Sequence, residues 1–204
     1  MFWYESDIKN LENKPVILTS EKKKVLFYGS STIRLWESID NDFPEFSLIN
    51  QGFGGSTLAA CCWFFKRVIP QHKPDIIVLY AGDNDLGDGR HPEEVYLNFI
   101  NLMALIKQYC GDIPVAFLSI KLSISRLHLY NSIIFTNQII KAEIEKNCPQ
   151  CQYVNLIPAM YSNETIDHTL FENDGLHLSE KGYAILTKVV RSQFLDQFMP
   201  KIKE

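Results

Sequence analysis

The sequence predicts an α/β fold: a three-layer α/β/α sandwich around a flavodoxin-like, five-stranded parallel sheet of order 2-1-3-4-5. Three observations carry this. Short apolar runs recur at residues 25–28, 47–50, 75–80, 115–119 and 153–156. A segment with apolar residues at helical spacing follows each of them. The clearest run, Asp75-Ile-Ile-Val-Leu-Tyr80, is continuously apolar after its opening aspartate rather than alternating, as a strand covered on both faces must be. Right-handed crossovers between such strands favour the doubly wound order.

The elements follow in sequence. Ile8 and Leu11 punctuate a charged opening segment that ends before Pro15, which predicts a short N-terminal helix. Lysines 22–24 lead into the first strand and read as its solvated entrance. Residues 32–39 place Ile33, Trp36 and Ile39 on one side of a helix. The second strand ends in Gly52-Phe-Gly-Gly55, and a helix over 58–69 stops at Pro70. The third strand is followed by a polar loop from Gly82 to Arg90. Pro92, Glu93 and Glu94 mark the start of a helix with Val95, Phe99, Leu102 and Ile106 inward, ended by Gly111. A long helix over 128–146 turns Ile133, Ile140 and Ile144 to the core. After the fifth strand, Ser179 can cap a last helix that buries Tyr183, Leu186, Val190 and Phe194. With no repeat, low-complexity tract or linker, residues 1–204 read as one domain, with residues 1–14 a helical extension packed on it.

Composition narrows the function classes. The chain has 204 residues, 46% hydrophobic and 22% charged, with a net charge of −4. That balance argues against a nucleic-acid or anionic-membrane partner. The N-terminus lacks a basic segment followed by a long apolar stretch, and no run approaches a membrane span. The expectation is a cytoplasmic protein without integral membrane contact. Five cysteines, an odd number, fit a reducing compartment. Cys148-Pro-Gln-Cys151 stands alone, without the further ligands a zinc site needs, and reads as structural.

The residues able to do chemistry fall after the strands, where open α/β sheets gather ligands. Ser31 follows the first strand and a glycine, at a helix start; it could cap the helix or present its hydroxyl as a nucleophile. Gly55 lies in a turn that could simply connect strand to helix, cradle a phosphate, or offer a free N–H to an oxyanion. The Walker and G-x-G-x-x-G spacings are both absent. Asn84 could be a turn residue, or its amide could donate to a developing negative oxygen. Asp174-Gly-Leu-His177 is more specific: a carboxylate at i−3 can fix the tautomer of a general-base imidazole while the other ring nitrogen faces Ser31. The other histidines are weaker candidates: Asp88 stands at i−3 of His91, but His72 and His91 sit beside prolines in expected turns, His128 has no carboxylate at i−3, and Asp167 and His168 are adjacent, so their side chains diverge. Lys121 and Arg126, in the loop after the fourth strand, are either solvated charges or recognise an anionic or polyhydroxylated substrate.

Taken together, these residues resemble the SGNH hydrolases, the GDSL-type esterases and lipases, over roughly residues 24–194. Phe27-Tyr-Gly-Ser-Ser31 stands where that family has its Gly-Asp-Ser block. Asn50-Gln-Gly-Phe-Gly-Gly55, Gly82-Asp-Asn-Asp85 and Asp174-Gly-Leu-His177 are similar to its glycine, Gly-x-Asn-Asp and Asp-x-x-His blocks. Residues 28–36 and 52–57 look most like a bacterial branch with a Gly-Ser-Ser nucleophile block. The resemblance implies Ser31 as nucleophile, His177 as base and Asp174 as acid. It also implies an oxyanion hole of Ser31, Gly55 and Asn84, with no cofactor and no metal. One position departs: Ser30 replaces the family aspartate, which is not itself a reacting group. The expected activity is hydrolysis of a small-molecule carboxylic ester through an acyl-enzyme, of the acetylhydrolase or lysophospholipase type, with short acyl groups favoured because no long apolar lid is visible. The rival expectations are an inert carbohydrate-binding protein of the same fold and a nucleotide binder using the Gly52-to-Gly55 turn.

Overall fold

The structure is a computed structural model and describes residues 1–16, 20–162 and 165–199. Five parallel strands form one sheet in the order β2-β1-β3-β4-β5. They are β1 (Lys24–Gly29), β2 (Ser47–Gly52), β3 (Ile76–Tyr80), β4 (Val115–Leu118) and β5 (Cys151–Val154). In register, Lys24 lies beside Ser47 and Gly29 beside Gly52, with Val25 against Ile76 on the other side. Every residue of β3 and β4 is buried, as their unbroken apolar character requires.

The connecting helices are α2 (Ser31–Arg34), α3 (Ile39–Asp42), α4 (Leu58–Val68), α5 (Asp83–Gly87), α6 (Pro92–Cys110), α7 (Tyr130–Asn147) and α8 (Glu180–Gln193). The strand order reverses at β1, so right-handed crossovers send the helices to opposite faces. On one face α8 meets α2 and α3: the Tyr183 hydroxyl donates to the Thr32 carbonyl at 3.0 Å, and Arg191 Nε to the Asp42 carbonyl at 3.0 Å. On the other, α4, α6 and α7 pack in succession. Phe99 of α6 meets Phe117 of β4 edge-on, with ring centroids 5.1 Å apart. Burying a side chain of that size contributes roughly 2–3 kcal/mol.

The N-terminal segment, a 3-10 turn (Phe2–Tyr4) running into α1 (Glu5–Glu12), lies against α4. Ile8 and Leu11 are buried there. Arg67 forks between Glu5 (2.8 and 3.1 Å) and Glu12 (2.7 and 3.0 Å).

Several elements differ from expectation. The helix expected over 32–39 breaks into α2 and α3. Trp36 turns inward against Phe27 and Phe43, and its indole N–H donates to Asp42 Oδ2 at 2.6 Å. Packing of one large ring outweighs the helical spacing. The polar loop after β3 holds a short helix, α5. The fifth strand runs two residues earlier than its apolar run, because pairing with β4 spans 151–154 and the Leu156 N–H is taken by Ser119 Oγ at 2.9 Å. The long helix starts at Tyr130, after a 3-10 segment (Ile124–Leu129). A minimal antiparallel pair, β6 (Tyr161–Ser162) and β7 (Thr165–Ile166), had no signal in the sequence. Among the described residues no helix is long and apolar enough to cross a membrane.

Candidate active site

The carboxyl ends of all five strands converge on one rim. At the end of β1, Gly29 adopts φ 140°, and a Cβ there would lie 1.9 Å from the Tyr80 carbonyl oxygen. Only glycine lets β1 approach β3 so closely before the chain turns. Ser30, buried, donates its N–H to that carbonyl at 2.9 Å, and Ser31 opens α2. Neither serine caps the helix with its side chain: the Ser30 hydroxyl makes no cap bond, and Ser31 Oγ meets an imidazole.

That imidazole is His177, whose Nε2 lies 3.0 Å from Ser31 Oγ across 146 residues of sequence. Its Nδ1 lies 2.5 Å from Asp174 Oδ2. Asp174 Oδ1 accepts from the backbone N–H of Leu176 (2.9 Å) and of His177 (3.0 Å). Those N–H groups, the Leu176 bond foremost, hold the Asp174 carboxyl down at about 2 although partial burial opposes this. Gly175, at φ 64°, permits the tight turn between them, and a bridge between Phe171 and Leu178 closes the loop.

Gly55 also has positive φ, 67°, with open space where a side chain would stand. Among the described residues the N–H groups of Ser31 and Gly55 form no hydrogen bond. Asn84, on α5, donates from Nδ2 to the Ser56 carbonyl at 3.0 Å, while its Oδ1 accepts from Arg126 Nη2 at 3.1 Å. Beside it Asp85 is buried and takes the Leu58 N–H on both oxygens (3.1 and 2.9 Å), tying α5 to the start of α4. Burial pushes the Asp85 carboxyl up to about 6, against the opposing pull of that N–H.

Lys121 and Arg126, expected either as solvated charges or as substrate-recognising ones, turn inward instead. Lys121 is 1% exposed; its Nζ lies 3.1 Å from Asp83 Oδ2 and 3.3 Å from the Tyr80 hydroxyl. Burial opposes its charge, but Tyr80 and Asp83 outweigh burial and hold the ammonium above the ordinary lysine range. Arg126 also turns inward, to the Asp83 backbone oxygen and to Asp83 Oδ1 at 3.2 Å. The physical reason is Asp83: a carboxylate buried at a strand end needs cationic partners. Sequence reasoning missed this although a signal existed, since Asp83 and Lys121 each stand three residues beyond the ends of adjacent strands. It also missed Tyr4, whose hydroxyl donates to the Gly55 carbonyl at 2.8 Å; no motif marks it. Of the other histidines, His72 is buried beside Gln51. Cys148 and Cys151 flank a turn closed by a 2.8 Å backbone bond at the opposite end of the sheet.

Two clefts flank the site. One, about 510 Å³, lies beside His177 and is lined by Leu35, Glu37, Glu172, Glu180 and Tyr183. The other, about 360 Å³, lies between Trp3, Tyr4, Thr57 and Asp85. A larger cavity of about 590 Å³ sits at the amino ends of β4 and β5, across the sheet from Ser31.

A doubly wound sheet carrying a serine, an imidazole and a carboxylate in contact at its carboxyl rim has the layout of a hydrolase. The chain belongs to the GDSL-like lipase/acylhydrolase family, whose pattern matches residues 28–185, and is a hydrolase of that kind. No curated protein matches it by sequence. Its fold is similar to that of a Streptococcus pneumonia protein named for platelet activating factor (TM-score 0.78, 18% identity, 94% of this chain and 91% of that one). A GDSL-like lipase from Bacteroides thetaiotaomicron gives a TM-score of 0.73 at 19% identity, covering 94% and 95% of the two chains. A catalytic mutant of Axe2, an acetylxylan esterase from Geobacillus stearothermophilus, gives 0.68 at 16% identity, covering 86% and 95%. At such identities the likeness is one of fold.

Proposed function

We propose that the protein is a serine esterase that hydrolyses small carboxylic esters through an acyl-enzyme. One observation carries this reading: the unbroken line of contacts from Asp174 through His177 to Ser31 Oγ, at 2.5 and 3.0 Å. In this reading Ser31 attacks the ester carbonyl while His177 Nε2 takes its proton. Asp174, ionised, holds the tautomer and stabilises the imidazolium. The tetrahedral oxyanion is met by the free N–H groups of Ser31 and Gly55 and by the second Nδ2 hydrogen of Asn84. His177 returns the proton to the leaving alcohol. Water, activated by the same imidazole, then releases the acid and restores Ser31.

Short acyl groups on a polar alcohol fit best. The cleft beside His177 carries Glu37, Glu172 and Glu180 beside Leu35 and Tyr183, so a long alkyl chain there would have to desolvate carboxylates. Acetyl esters of sugars are one such class, in keeping with the acetylxylan esterase among the fold's relatives. The test is steady-state hydrolysis of p-nitrophenyl esters from acetate to palmitate. Turnover is expected on acetate, to fall with chain length, and to vanish in Ser31→Ala while the thermal midpoint stays within a few degrees. Turnover surviving in that variant refutes the assignment.

A further inference from the structure

We propose that Arg126 is a positioning residue that fixes which end of the Asn84 side-chain amide faces the reacting oxygen; this rests on the esterase reading above. A primary amide is nearly symmetric in shape, and half a turn about its last torsion exchanges its oxygen and its NH₂ at little steric cost. Chemistry must therefore choose the orientation. The guanidinium carries only donors, so Nη2 at 3.1 Å demands an oxygen, Asn84 Oδ1. The Ser56 carbonyl, 3.0 Å from Nδ2, carries only lone pairs and demands a donor. In the reversed orientation both contacts would be repulsive, and the oxyanion would meet a lone pair instead of an N–H.

Arg126 is itself held in place. Its Nη1 bonds the backbone oxygen of Asp83, the residue just before Asn84, and lies 3.2 Å from Asp83 Oδ1. The guanidinium lies directly over Gly87: a Cβ on that glycine would come within 2.0 Å of Nη1. Gly87 has no positive φ, so the close approach of Arg126 is what glycine serves there. On its other side the same 3-10 segment holds the acid–base loop, with the Ser125 N–H donating to the Gly175 carbonyl at 3.1 Å. One turn of chain thus touches both the Asn84 donor and the loop bearing Asp174 and His177.

The test is a mutant cycle on the full chain, with p-nitrophenyl acetate as probe. Arg126→Lys keeps the charge but not the planar fork. It is expected to lower kcat on the order of tenfold or more, with KM within about twofold. In an Asn84→Ala background the same change is expected to cost nothing further, because the group it orients is gone. General loosening of the fold would carry the loss into both backgrounds. Gly87→Ala, which displaces the guanidinium without altering it, is expected to give the same pattern and decides the matter if Arg126→Lys does not fold. Unchanged kcat, or an equal loss on the Asn84→Ala background, overturns the proposal while leaving the esterase reading intact. A wild-type protein without Ser31-dependent turnover overturns both.

Discussion

The Tyr4 hydroxyl donates to the Gly55 carbonyl oxygen at 2.8 Å, so the first turn of the chain braces the glycine turn that follows β2. Tyr4 is buried against Phe53 and Phe64, and burial raises its phenol further, which keeps the donor proton in place. Tyr4→Phe keeps the ring and removes only the bond. The expected outcome is a loss of about 1 kcal/mol in urea unfolding and a several-fold fall in kcat on p-nitrophenyl acetate. A kcat equal to wild type would show that Gly55 needs no such brace.

Asp174 is held at about 2 by backbone N–H bonds, so it is ionised at neutral pH. Its folded value lies below the ordinary carboxylate one, so its contribution to stability is present above about pH 4 and is lost as pH falls through about 2. Asp174→Asn should lower kcat by on the order of 10³–10⁴-fold at neutral pH. Stopped assays comparing it with wild type from pH 6 to 9 check this, and a loss under tenfold would remove Asp174 from the acid's role.

Asp85 has the opposite sign. Burial raises its carboxyl to about 6, so the folded state holds a proton that the unfolded chain releases near pH 4. Stability from this group is therefore present at low pH and lost as pH rises from about 4 through 6. Asp85→Asn keeps an acceptor for the Leu58 N–H and removes the titration. Thermal melts of the two proteins should diverge in favour of the variant across that window, by about 2–3 kcal/mol at neutral pH. Parallel curves would mean that the carboxylate is better solvated than its surroundings indicate.

Gly29→Ala tests the geometry beneath Ser31. The added methyl would stand 1.9 Å from the Tyr80 carbonyl oxygen at a φ of 140°. Unfolding free energy should fall by more than about 2 kcal/mol, and activity should fall with it as Ser31 leaves the reach of His177. A Gly29→Ala protein of normal stability would require β1 and β3 to separate easily at their ends.

Much of the architecture was readable from residue pattern alone, because a strand covered on both faces is apolar throughout. Runs such as 75–80 and 115–119 can satisfy that in few other ways. Strand order followed from the handedness of crossovers, and the order brought Ser31, Gly55, Asn84, Asp174 and His177 to one rim. Local spacing even anticipated the contact between Asp174 and His177, since residues three apart in a tight turn have short reach.

Other features were decided only in three dimensions. The helix expected over 32–39 broke because Trp36 has more to gain from Phe27, Phe43 and Asp42 than from helical bonds. Lys121 and Arg126 looked like solvent-facing loop charges, yet both turn inward, because Asp83 is buried between strand ends and must be neutralised there. The sequence by itself determined the strands, their order and which residues reach the rim, since those depend on burial and chain handedness. The tertiary structure decided what each polar group faces, since hydrogen bonds and ion pairs are chosen among neighbours that are distant along the chain.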